Sequence, residues 1–319
     1  MLAGDYFIDV FRYAYSVMVN LDMYDEVFAS EGGSSSLFEI VEAGEWTYDE
    51  MMRSANLAYV DAGIIGQNDS EDTFGVVSPA HWMARTLFST SGLDIFETNA
   101  DGKIQYVEDI TEVHNFVDKV IDMTKQSGFY YNPISGGYNQ DKIFIEGRAL
   151  YLLGASVLAM EGTFVQNMDE NVAIIPYPKY NAETEYKALV SDNANTGGVL
   201  YNSDKFTECS ALLQMMEEES NNGKGTLVYE YYDVTLKYKL SSTPEQVSML
   251  EYIRNGVCSP KSMLYDNYFT KSVSLQQYRA LMDASFASGT NTFASAWESQ
   301  YDAVQGALES TLATYGQQN

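Results

Sequence analysis

Apolar residues follow two spacings along this chain. Short, nearly unbroken runs at 13–20, 73–78, 149–154 and 172–176 have the length and the β-branched or aromatic content of buried strands. Between them the apolar positions recur every three or four residues, which predicts helices over 21–28, 37–43, 47–59, 81–90 and 156–167. The clearest is capped by Thr111 and places Val113, Phe116, Val117, Val120 and Ile121 on one face. The final third predicts helices at 204–220, 229–238, 244–255, 275–287 and 292–314. Strands that alternate with helices in this way predict an α/β chain with a helical C-terminal third.

Local punctuation supports these elements. Thr47 followed by Glu50 is a capping box, with Trp46 just before it as a packing residue. Pro79 separates the strand at 73–78 from its helix, and Gly92 ends that helix. Asn99 to Gly102 turns a hairpin over 95–107. Trp297, between Phe293 and Tyr301 on one helix face, reads as core, and His114 as a surface or boundary residue of its helix.

Composition narrows the function classes. The chain has 319 residues, with 45 acidic against 18 basic side chains and a formal charge of −27. Nucleic-acid binding rests on cations that neutralise phosphate, so it is excluded as a class, and an anionic membrane surface is a poor partner. Hydrophobic content of 45% is that of a folded protein, so the acidity does not signal disorder. Cys209 and Cys258 lack metal-ligand spacing and read as buried small hydrophobes, with a mutual disulfide as the alternative. No metal and no cofactor is expected.

Chemical motifs are sparse. There is no phosphate-binding glycine loop, HExxH, CxxC or GxSxG, and only His81 and His114 could serve a triad. Asp69 and Asp72 stand in an acidic stretch at 61–72 whose oxygens do not alternate as an EF-hand requires. Carboxylates are too numerous for any pair to identify a glycosidase, which needs two of them across a sugar; that enzyme remains the rival reading. His81 and Trp82 follow a strand end at a helix start, where ligands sit in open α/β sheets.

Several segments together resemble the carbohydrate-binding family of extracellular solute-binding proteins of ABC importers. These are Leu37-Phe38-Glu39-Ile40-Val41-Glu42-Ala43-Gly44-Glu45-Trp46-Thr47-Tyr48-Asp49, Asp72-Thr73-Phe74-Gly75-Val76, and Phe144-Ile145-Glu146-Gly147-Arg148-Ala149-Leu150-Tyr151. Val172-Ala173-Ile174-Ile175-Pro176-Tyr177-Pro178-Lys179, the segment from Tyr231 to Lys237 and that from Phe293 to Glu298 follow in the same order.

The resemblance implies a two-lobed, periplasmic-binding-protein-like fold of type II that hinges shut on a small solute, a sugar or oligosaccharide, without chemistry. It implies a first lobe of residues 1–77 plus 198–225 and a second of 78–190 plus 226–319. Interlobe crossings are expected near 74–78 and 189–193, beside Gly197 and Gly198. The implied ligand residues are His81, Trp82, Ala155, Ser156, Asp192, Asn193 and Asn195. The implied partner is a membrane ABC permease, and the protein is an extracellular monomer, a lipoprotein in its full-length form. The chain opens Met1-Leu2-Ala3-Gly4-Asp5, where the family has a signal, a lipobox cysteine and several first-lobe elements. It is therefore expected to be N-terminally truncated, with an incomplete first lobe, open edges on the strand near 15–20 and poor binding. A truncated paralogue that binds nothing is a third alternative.

Overall fold

The computed structural model describes residues 8–66, 69, 71–132, 139–162, 165, 168–191, 193–194, 200, 202–258 and 278–316; the side chains of residues 80–82, 132, 139, 258, 315 and 316 are outside the description. The elements run α1 (Asp9–Arg12), β1 (Tyr15–Asn20), α2 (Leu21–Val27), α3 (Ser34–Glu42), α4 (Tyr48–Ala58), β2 (Phe74–Pro79), α5 (Ala80–Ser91). The hairpin β3 (Phe96–Thr98) and β4 (Ile104–Tyr106) follows, then α6 (Thr111–Thr124), β5 (Phe129–Asn132), α7 (Asn139–Ile145), β6 (Ala149–Ser156), a 3-10 turn (Val157–Glu161), β7 (Val172–Ile175) and β8 (Ala188–Leu189). The last part contains α8 (Phe206–Ser220), a π-wound helix (Tyr229–Leu240), α9 (Pro244–Asn255), β9 (Val257–Cys258), α10 (Tyr278–Ser288) and α11 (Phe293–Gly316).

One five-stranded sheet of order β5-β2-β6-β1-β7 organises the molecule. β2 runs parallel to β5 and β6, while β1 is antiparallel to both β6 and β7. Side chains alternate between its faces. Tyr15, Val17 and Val19 of β1 enter one core with Trp46, Leu87, Phe116, Tyr151 and Trp297, whereas Ala14 and Met18 enter the other with Phe74, Leu152, Ile174, Tyr231 and Ile253. A strand buried on both faces reads as an apolar run, which is why 15–20 and 74–79 carry so few polar residues.

Local signals act as the sequence leads one to expect. The Thr47 hydroxyl accepts from the Glu50 N–H at 3.3 Å, although the Glu50 carboxylate turns to Arg53 instead of closing the box. Trp46 is fully buried and its Nε1–H donates to the Pro176 carbonyl at 3.0 Å. Asn99 Oδ1 accepts from the N–H groups of Asp101 and Lys103, which shapes the hairpin turn. Trp297 stacks on Phe293 with centroids 6.1 Å apart, and His114 lies on the surface of α6 with Nδ1 3.2 Å from Asp118.

Several expectations are corrected. β1 has no open edge, because its register places Met18 opposite Leu152 on one side and Ile174 on the other. The segment 74–78 is paired along both sides and is no hinge. Over 156–161 the expected helix gives way to the end of β6 and a 3-10 turn. Cys209 is exposed and free rather than buried. The Gly197 and Gly198 pivot lies outside the described residues.

Candidate functional site

Three parallel strands finish at one edge of the sheet. Pro79 of β2 pairs with Asn132 of β5, and Val77 with Leu152 of β6, which brings Gly154, Ala155 and Ser156 to the same side. Gly154 takes a positive φ of 85°, and its N–H donates to the Tyr177 hydroxyl at 2.7 Å, fixing the bend at the strand's end. Pro79 then starts α5 without needing a donor, so Ala80, His81 and Trp82 form the helix's first turn at this edge. The carboxyl ends of parallel strands are where open α/β sheets hold ligands, since helix N-termini and flexible loops converge there.

The other predicted residues reach the edge through β1. Tyr15 pairs with Ser156 and Ser16 with Ala155, while the Val157 N–H donates to the Ala14 carbonyl at 2.9 Å. The chain leaving β8 crosses at the same point. Ala14 bridges Val190, the Ser191 N–H donates to the Tyr13 carbonyl at 2.9 Å, and the Tyr15 hydroxyl lies 3.2 Å from Ser191 Oγ. Asn193 follows, exposed, with its N–H 3.3 Å from Ser191 Oγ. The structure therefore brings Ala155, Ser156 and Asn193 to one strand-end region and places the backbone of His81 and Trp82 on the same sheet edge. Asp192 and Asn195 lie outside the described residues, as do the side chains of His81 and Trp82.

Sequence reasoning missed three polar groups near this edge. Tyr131, at the end of β5, is half-buried, and burial with the nearby Asp283 charge pushes its phenol up to about 12. Asp283 comes from α10; burial pushes its carboxyl up to about 6 against the opposing effects of the Ala84 N–H and Arg279. Its Oδ1 is shut off from solvent without a hydrogen-bond partner. Asp141, in the first turn of α7, is also raised by burial, with Gln140 Nε2 3.3 Å away opposing the shift. Only the lone carboxylate in Leu281-Met282-Asp283 hinted at one of them, and acidic residues are too common here for it to stand out.

Two other features are structural. Burial works to raise Asp72, but N–H donors of Asp69, Ala62 and Gly63 outweigh it and hold the carboxyl below its usual range. Asp69 and Asp61 accept further loop amides, so these carboxylates stitch 61–72 together. Among the described residues no three His, Cys, Asp or Glu side chains gather to hold a metal. A groove of about 530 Å³ lies between α4 and α6, but its cations are already paired, Lys119 with Asp49 and Arg53 with Glu50, each at 2.8 Å. Its Asn56 and Gln126 end sits near Gly75 and Gly128, where β2 and β5 begin, away from the strand ends.

The chain matches no family model and no curated protein. Solved structures share its fold. The cyclic α-maltosyl-1,6-maltose binding protein of Arthrobacter globiformis is 13% identical, with a TM-score of 0.52 over 93% of this chain and 70% of that one. An ABC transporter solute-binding protein of Thermotoga lettingae, bound with α-D-tagatose, is 10% identical, with a TM-score of 0.54 over 92% and 70%. The galacto-N-biose/lacto-N-biose I-binding protein of an ABC transporter from Bifidobacterium longum is 12% identical, with a TM-score of 0.51 over 95% and 69%. The chain has the mixed α/β fold of two-lobed, periplasmic-binding-protein-like solute-binding proteins. No helix among the described residues is long and apolar enough to cross a membrane.

Proposed function

We propose that this chain captures a sugar or oligosaccharide outside the cell and hands it to the membrane permease of an ABC importer, acting as a monomer tethered as a lipoprotein. One observation carries the reading: nearly the whole chain follows the fold of solute-binding proteins whose own ligands are sugars. The strand-end edge supports it chemically. A sugar offers apolar C–H faces to an aromatic ring and hydroxyls to polar groups, and Trp82, Ser156, Asn193, Tyr131 and Asp283 belong to elements converging there. Asp192 and Asn195 extend the proposed set along the same loop. The glycosidase alternative gains nothing from these neighbours, each of which is a sugar-binding protein or holds a bound sugar.

The sheet also suggests where the lobes divide. Residues 8–190 and the helices after 226 supply both cores around the sheet, whereas α8 has no buried residue, so α8 is assigned to the other lobe. The crossings fall at Tyr13 and Ala14, at Val190 and Ser191, and at β9, whose Val257 and Cys258 pair with Ala188 and Leu189. Side-by-side crossings of this kind can bend together, as hinge closure requires.

The site is tested by substitution. Trp82→Ala is expected to weaken sugar binding by roughly tenfold or more, the loss of ~1.4 kcal/mol of stacking. Ser156→Ala should lose less. Calorimetric titration measures both, and an unchanged affinity in Trp82→Ala removes that residue from the site.

A further inference from the structure

The ladder of the central sheet stops at Ser156, and beyond it the 3-10 turn leaves the candidate site with one ladder-like bond, from Val157 to Ala14, among the described residues. What ends the turn is Glu161. Its carboxylate accepts from Arg12 twice, Nε to Oε1 at 3.2 Å and Nη2 to Oε2 at 2.9 Å, and from the Tyr231 hydroxyl. A forked guanidinium contact fixes orientation as well as charge. The pair is only 33% and 20% exposed, so water and salt screen it less than a surface pair. The hydrogen bond to Glu161 raises Arg12 despite burial, and burial with Glu161 raises Tyr231, so both remain donors.

Each partner comes from a different part of the chain. Arg12 ends α1 directly before Tyr13 and Ala14, where the turn after β6 and the crossing after β8 both attach. Tyr231 comes from the π-wound helix, and its neighbour Tyr232 packs edge-on against Phe11 with centroids 5.1 Å apart. One carboxylate thus ties the turn that follows Ala155 and Ser156 to the first crossing and to the segment returning from α8.

We propose that Arg12, Glu161 and Tyr231 are positioning residues that hold the turn after β6 in its solute-receiving shape and couple it to the crossings. This rests on the strand-end edge being the solute site. Ligand contact is left to the turn itself; the junction acts by removing the turn's alternatives, which is how preorganisation strengthens binding.

Hydrogen exchange and titration on the full chain decide it together. The variants are Glu161→Gln, Tyr231→Phe and the charge-swapped pair Arg12→Glu with Glu161→Arg. The titration probes are α-D-tagatose, lacto-N-biose and cyclic α-maltosyl-1,6-maltose. Glu161→Gln is expected to speed exchange roughly tenfold in peptides spanning 154–162 while β1 and β2 stay protected. It should also weaken whichever probe binds by roughly tenfold, through faster dissociation. The swapped pair should recover most of both losses, which a mere packing role would not allow. Tyr231→Phe keeps the ring and removes one donor, so a smaller change of the same sign is expected even if Glu161→Gln fails to fold. Unchanged exchange at 154–162, or faster exchange with full affinity, overturns the proposal. If no probe binds the wild type, the sugar reading fails, and the exchange data still accept or reject the junction.

Discussion

Asp283 is the carboxylate this fold makes most costly to ionise at the candidate edge. An unperturbed aspartate titrates near about 3.9, whereas burial holds this one protonated up to about 6. Between those values the folded state binds more protons than the unfolded chain, so stability falls as pH rises from about 4 through 6 and is level above. The loss is on the order of 2 kcal/mol. Asp283→Asn should flatten that part of the Tm-against-pH curve and be more stable than wild type at pH 7; parallel curves for the two proteins would contradict the burial. Gly75 is constrained by space instead. A Cβ there would fall onto the Ala55 carbonyl, and at Gly128 it would come within 2.7 Å of the same oxygen. Gly75→Ala is therefore expected to force α4 off β2, destabilising by about 1–3 kcal/mol or more in a urea titration. No change in midpoint would mean that α4 packs less closely.

Among the elements, β1 and α8 are opposites. β1 is paired on both sides and buried throughout, while α8 exposes Leu212 and Met215 and buries nothing. Brief trypsin treatment should therefore cut first at exposed Lys205 or Lys224, leaving residues before 190 intact, and the pieces should elute together because α9, α10 and α11 remain packed on the core. First cleavage before residue 78 would restore the view that β1 is frayed. Legibility divides along the same line. The Thr47 cap, the Asn99 turn and the apolar face of α6 are set by residues within a turn or two, so the sequence displays them. The place of β1 depends on partners more than 130 positions away, Tyr151 and Ala173 among them, and nothing in YSVMVN distinguishes a central strand from an edge one. The candidate site divides likewise: His81 and Ser156 follow recognisable strand ends, whereas Asp283 and Tyr131 arrive there only through tertiary packing.

At the scale of the whole molecule, the strongly acidic chain carries a fold whose neighbours bind sugars at 10–13% identity, a range in which architecture persists while side chains are replaced. The ligand is therefore a question for direct binding. Differential scanning calorimetry with a panel of mono- to oligosaccharides, including α-D-tagatose and lacto-N-biose, is the most direct measurement. Ligand that binds only the folded state stabilises it by about 2.7 kcal/mol at a hundredfold excess over Kd. The expected result is a concentration-dependent rise in Tm for one class of sugar, recovered chemically unchanged afterwards. No shift with any sugar, or recovery of hydrolysed sugar, would contradict capture without chemistry.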